Sequence, residues 1–164
     1  MGKDIMTSED AAVVFQNGAD GYPFFRIPSL LYISATLLLA FAEGRRQRQD
    51  HGQVDIVLKR SIDGGASWSA LSVVHTETRA TIGNPAPLYD DPEAVLIFCR
   101  DNKDVLLTRS IDGGVSWSVP LPIGWSRPPE WAWVATGPPA SLVSRRGRWL
   151  VPCDGLSGSK QVRS

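Results

Sequence analysis

Apolar residues along this chain come in short runs, many alternating with polar positions, and glycine or proline closes each run within a few residues. No stretch keeps the three-and-four spacing of an amphipathic helix, whereas strand spacing recurs throughout. The pattern predicts strands over Phe25 to Ile33, Leu37 to Glu43, Val54 to Arg60 and Trp68 to Val74. The same order repeats over Ala86 to Tyr89, Ala94 to Cys99, Val105 to Arg109 and Trp117 to Leu121. A third set opens near Ala140 to Ser144 and continues through Arg148 to Pro152.

The repetition is explicit in the residues. Leu58-Lys59-Arg60-Ser61-Ile62-Asp63-Gly64-Gly65-Ala66-Ser67-Trp68-Ser69 returns forty-nine positions later as Leu107-Thr108-Arg109-Ser110-Ile111-Asp112-Gly113-Gly114-Val115-Ser116-Trp117-Ser118, with ten of twelve positions identical. A period of that size in a strand-rich chain marks a β-propeller, whose four-stranded antiparallel blades bury their faces against their neighbours. The expected fold class is therefore all-β, a β-propeller of which about two and a half blades fit in the chain. Blade one is expected near 22–76, blade two near 83–123 and the start of blade three over 133–164. An array cut there leaves a large apolar face wet, so the expectation is the N-terminal part of a longer propeller.

The repeated Ser-x-Asp-x-Gly-x-x-Trp reads as a hairpin turn between the third and fourth strands of a blade. Ser61 and Ser110 open it, and the Asp63 and Asp112 carboxylates can accept bonds from amides of their own turn. Gly65 and Gly114 permit positive φ, and Trp68 and Trp117 can fold over the turn and bury a large ring.

Composition narrows the function classes. Apolar content of 43 % with six tryptophans describes a packed protein, and 17 basic residues against 17 acidic ones give no net field for nucleic acid or an anionic membrane. The apolar run from Ser29 to Ala42 is too short and interrupted to span a bilayer. No signal-peptide core follows Met1, so a cytoplasmic location is expected if Met1 is the true start. Cys99 and Cys153 lack metal or disulfide-framework spacing and are expected to be buried thiols. His51 and His75 lack ligand spacing too, so no metal or cofactor is expected. The arginine clusters at 45, 46 and 48 and at 145, 146 and 148 read first as solvated loops.

Four ordered motifs carry chemistry. Phe25-Arg26-Ile27-Pro28 resembles the F/Y-R-I-P signature that opens the catalytic domain of sialidases (exo-α-neuraminidases). Leu38-Leu39-Ala40-Phe41-Ala42-Glu43-Gly44-Arg45, followed by Asp50-His51, is similar to that family's second segment. Gly83-Asn84-Pro85-Ala86-Pro87 resembles its N-P-x-P segment, and Trp133-Val134-Ala135-Thr136-Gly137-Pro138 its T-G-P-G segment. The twice-repeated turn resembles the family's Asp box, or BNR repeat. The resemblance implies a six-bladed propeller that removes terminal sialic acid from glycoproteins, glycolipids or oligosaccharides with retention of configuration.

It also implies roles. Sialic acid carries a carboxylate on its anomeric carbon, and a guanidinium suits that planar anion by its permanent charge and paired donors. Arg26 would be the first of three such arginines, and Asp50 the general acid/base. Arg45 would sit beside Asp50 and contact the sugar, and Asn84 matches a substrate-binding position near the family's pocket, although Asn before Pro is also an ordinary turn former. A general acid needs a raised pKa, whereas flanking arginines lower it. Asp55 competes with Asp50 but falls inside a strand. Sialidases are the exception among retaining glycosidases in using a tyrosine nucleophile. That tyrosine, its glutamate and two further arginines belong to later blades in the family, and Tyr22, Tyr32 and Tyr89 match none of them. Pro139 replaces the usual second glycine of the third-blade motif, and Gly155 stands where a histidine is common. The alternative reading is a non-catalytic Asp-box propeller that binds glycan or protein.

Overall fold

The computed structural model describes residues 11–50, 52–124, 128–137, 141–157 and 160–163. Strands β1 (Phe24–Tyr32), β2 (Leu38–Arg45), β3 (Val54–Ser61) and β4 (Ser72–His75) form one antiparallel sheet in chain order. Strands β5 (Ile82–Asp90), β6 (Glu93–Arg100), β7 (Asp104–Ser110) and β8 (Leu121–Pro122) form a second of the same topology. The third comprises β9 (Trp131–Thr136), β12 (Cys153–Ser157) and β13 (Lys160–Arg163), with β10 (Leu142–Val143) and β11 (Trp149–Leu150) as a small hairpin. No helix among the described residues is long and apolar enough to cross a membrane.

The central strands show why the chain stacks as blades. In β6, Leu96 and Phe98 join Leu39, Phe41, Ile56 and Leu58 of blade one in one core. Their neighbours Val95, Ile97 and Cys99 point the other way and meet Trp131 and Val134 of blade three. A strand buried on both faces reads as an unbroken apolar run, which is how Ala94 to Cys99 reads. Blade one's outer face is smaller, with Tyr22, Ala42 and Val57 packed by Phe15, Phe25 and Leu71.

Two outer strands differ from the sequence expectation. They begin at Ser72 and Leu121, not at Trp68 and Trp117. After each turn only one ladder-like bond forms at once, Ser69 N–H to the Arg60 carbonyl and Ser118 N–H to that of Arg109, both 2.8 Å. Trp117 reaches the preceding blade and meets Phe41 edge-on, ring centroids 5.7 Å apart. In blade three the inner strand begins earlier than expected, at Trp131. Pro138, Pro139 and Ala140 lie outside the described residues, as does His51.

The turns themselves follow the sequence reading. Asp63 Oδ1 accepts from Ser67 N–H at 2.9 Å and from Ser61 Oγ at 2.7 Å, and Gly65 N–H donates to Ser61 Oγ at 2.8 Å. Ser110, Asp112, Gly114 and Ser116 reproduce that set. Gly65 and Gly114 have φ of 98° and 82°, the region only glycine enters without strain. Blade two's turn docks on blade one, where Arg60 Nε donates to the Gly113 carbonyl at 2.8 Å.

Candidate active site

Register decides which ends of the blades face each other. Leu38 pairs with Ser61 at the turn end of blade one, and Arg45 pairs with Val54 at the opposite end. Both Asp-turns therefore lie at the far end from Arg45 and from the loop that carries Asp50. At the Arg45 end, a pocket of about 340 Å³ opens between the three blades. Its walls include Arg26, Glu43, Arg45 and Asp50 from blade one, Asn84 and Cys99 from blade two, and Trp133 from blade three.

Inner strands reach this pocket through bulges. The β1–β2 register shifts between Arg26 and Ser29, and the β5–β6 register shifts between Gly83 and Ala86. At these points Ile27 has φ of 52° and Asn84 of 58°. A β-branched residue in that region is strained by about 1–3 kcal/mol, a device found where a chain must re-aim a side chain. The sequence signals are the prolines Pro28 and Pro85, which supply no N–H to a ladder.

Four charged side chains form one connected row. Arg45 is 6 % exposed and gives Nε (2.8 Å) and Nη2 to a single oxygen of Glu43, which is 3 % exposed. Its remaining Nη1 donates to Asp50 Oδ1 at 2.8 Å and to the Gln49 carbonyl at 3.1 Å. The same Asp50 oxygen takes Arg26 Nη1 at 2.5 Å. Glu43 Oε1 accepts the Asn84 backbone N–H at 2.8 Å, which ties the row to blade two.

Burial pushes the Glu43 carboxyl above its usual range, against the opposing pull of the Asn84 amide and Arg45. Asp50 goes the other way. The hydrogen bond from Arg45, with the Arg26 charge beside it, holds this carboxyl below the ordinary range. Between flanking arginines that lower this pKa and burial that raises it, the arginines prevail.

The loop bearing Asp50 is pinned at both ends. Arg46 stacks on the Tyr22 ring at 4.6 Å and donates to the Gly21 carbonyl at 2.9 Å. At its other end, Thr81 Oγ1 of blade two donates to the Gly52 carbonyl at 3.0 Å. The arginine cluster at 45, 46 and 48 is accordingly more than a solvated patch. Arg45 is buried, and Arg48 stands over Phe24. Asp55 faces away from the pocket, held at 2.7 Å by Tyr22 Oη and at 2.6 Å by Thr76 Oγ1. Burial, helped by the Asp55 bond, pushes the Tyr22 phenol up to about 12.

Arg26, Arg45, Asp50 and Asn84 therefore share one pocket, with Asn84 entering the row through its backbone. Sequence reading passed over Glu43. An acidic residue directly after the apolar run Leu37 to Ala42, still inside the same strand, is the signal that could have found it. Cys99 is buried as expected, its sulfur taking the Thr136 N–H at 3.2 Å and its thiol pushed up to about 11 by burial. Among the described residues no cluster of His, Cys, Asp and Glu is arranged to hold a metal.

Against known proteins, the BNR repeat-like domain family matches residues 36–163. An exo-alpha-sialidase of Aspergillus fumigatus is 32 % identical over 171 aligned positions, covering 82 % of this chain and 42 % of that protein. The chain spans less than half the length of the curated relatives it matches. Among solved structures, the Hadza microbial sialidase Hz136 superposes with a TM-score of 0.73 at 21 % identity, over 85 % of this chain and 34 % of its own. The Trypanosoma rangeli sialidase bound to 2,3-difluoro-KDN gives 0.66 at 15 % identity, over 91 % and 32 % respectively. At these identities the structural likeness establishes the fold, a sialidase β-propeller.

Proposed function

The chain belongs to the sialidase family of BNR-repeat proteins, and on that premise we propose that it supplies the acid–base side of an exo-α-sialidase site. The observation that carries the reading is the meeting of Arg26, Arg45 and Asp50 on one pocket rim, at the end of the blades away from the Asp boxes. Arg26 binds the carboxylate of a terminal sialic acid. Arg45 is fixed by Glu43 and contacts the sugar ring or its substituents. Asp50 protonates the departing glycosidic oxygen and then activates water, and the configuration is retained. In the family that the resemblance implies, the tyrosine nucleophile, its glutamate and two further carboxylate-binding arginines belong to later blades.

Arg45 and Arg26 hold the Asp50 carboxyl below its ordinary range, which favours the anion, the wrong form for a general acid. Substrate binding reverses this. A sugar carboxylate that takes over Arg26 withdraws one cation from Asp50 and places an anion nearby, and both changes raise its pKa. Closure of sugar over the rim adds desolvation, which acts in the same direction. The pair that is broken is exposed, 46 % at Arg26 and 69 % at Asp50, so its rupture costs little.

The test is cleavage of a fluorogenic sialoside by the native protein and its Asp50→Ala variant. Wild type is expected to release sialic acid as the retained anomer. Asp50→Ala is expected to lose at least about a hundredfold in kcat, the usual contribution of a positioned acid/base. Hydrolysis by the variant at the wild-type rate excludes Asp50 from the role.

A further inference from the structure

The row Glu43–Arg45–Asp50 has an order that the catalytic reading alone does not require. Arg45 turns its Nε and Nη2 inward to one oxygen of Glu43 and leaves only Nη1 for Asp50. Glu43 lines the same pocket but is only 3 % exposed, and the oxygen it gives Arg45 is taken up by two of that guanidinium's nitrogens. Its place is nevertheless defended. The Asn84 N–H bonds its second oxygen at 2.8 Å, and a Cβ on Gly83 would stand 2.3 Å from that same oxygen. The chain thus keeps a buried carboxylate where a packed apolar residue would be cheaper to desolvate.

We propose that Glu43 is a positioning residue for the acid/base group: it fixes the orientation of Arg45 and neutralises it, so that Arg45 offers Asp50 a directed hydrogen bond without the pull of an unbalanced cation. The inference rests on the assignment of Asp50 proposed above. Without Glu43, Asp50 would face two uncompensated guanidiniums, Arg26 on β1 and Arg45 on β2. A carboxyl so placed is held more strongly as the anion, so its pKa rises from a lower start when substrate binds. Glu43 offsets the charge of Arg45 and leaves Arg26 as the cation that substrate can draw away. Among the described residues, blades two and three present only neutral groups to Asp50 near neutral pH, Cys99 included. The neighbouring arginines of the loop are engaged elsewhere, Arg46 with Tyr22 and Arg48 with Phe24.

The experiment is a carboxyl-carbon NMR titration of Asp50 in the native protein and in Glu43→Gln, read beside the pH profile of sialoside hydrolysis. In Glu43→Gln the Asp50 midpoint is expected to fall by about one pH unit, the size of coupling that one nearby charge produces. The alkaline limb of kcat/KM moves to lower pH with it, a displacement that loss of packing would not cause. An unchanged or raised Asp50 midpoint overturns the proposal. If Glu43→Gln does not fold, Asp50→Asn reads the same coupling from its exposed end. By reciprocity the Glu43 midpoint must drop by the same amount, and a Glu43 midpoint that stays in place overturns the proposal too. A wild type that cleaves no sialoside refutes the proposed function, and the titration still reports whether Glu43 governs Asp50.

Discussion

Arg26 and Asp50 stand twenty-four positions apart in sequence and meet at 2.5 Å between Nη1 and Oδ1. One comes from the bulged inner strand of blade one and the other from the loop after its second strand. Their contact makes Asp50 the internal counter-ion of the side chain proposed to receive a sugar carboxylate. On the proposed reading a sugar carboxylate displaces it, which links affinity for the anion to protonation of Asp50.

Arg26→Lys keeps the positive charge and loses the paired, planar donors. The substitution is expected to raise KM for a sialoside by about tenfold or more, the value of a charge-assisted hydrogen bond, with a smaller effect on kcat. Thermal stability is expected to stay within about 0.5 kcal/mol, because the pair it disturbs is exposed. Steady-state kinetics beside thermal melting checks both, and an unchanged KM removes Arg26 from the binding role.

Gly83→Ala places a methyl group where the Glu43 carboxylate now sits, 2.3 Å from Oε1. Glu43 must withdraw, which breaks its bond from Asn84 and loosens Arg45. A destabilisation of about 1–3 kcal/mol is expected from the overpacking. Denaturant unfolding measures it, and a neutral result would mean that Glu43 has room to move.

Trp117 joins the core shared by blades one and two and meets Phe41 edge-on. Trp68 packs against none of the three buried clusters among the described residues. Trp117→Ala is therefore expected to cost about 2–4 kcal/mol and Trp68→Ala clearly less, on the scale of aromatic truncations in cores. Equal losses in parallel melts would mean that the interface with blade one is not what Trp117 serves.

Asp63 carries a pH signature. The Ser67 hydroxyl, with the Ser67 amide and the Ser61 hydroxyl, holds its carboxyl down at about 2, against an ordinary value of 3.8. A folded-state value below the unfolded one stabilises the fold above about pH 4, and that contribution disappears as the pH falls toward about 2. The difference in melting temperature between wild type and Asp63→Asn should be full near neutrality and vanish at the acid end. A difference independent of pH would show that the charged carboxylate is not what the turn uses.

Much of this protein was legible in one dimension. The forty-nine-residue recurrence and the short apolar runs fix four-stranded blades, because a strand's two-residue period and a turn's need for Asp and Gly are local properties. Arg26, Arg45 and Asp50 likewise stand out because the motifs that carry them resemble those of sialidases. Tertiary structure alone decided how those side chains are used. Register carried Arg26 across to Asp50, stacking buried Glu43 behind Arg45, and the aromatic ring of Tyr22 turned Arg46 from solvent into an anchor. The charge state of Asp50 and the buried position of Glu43 depend on desolvation and on distances between blades. Those quantities come into being only when separate segments close on one another, and no local pattern of residues encodes them.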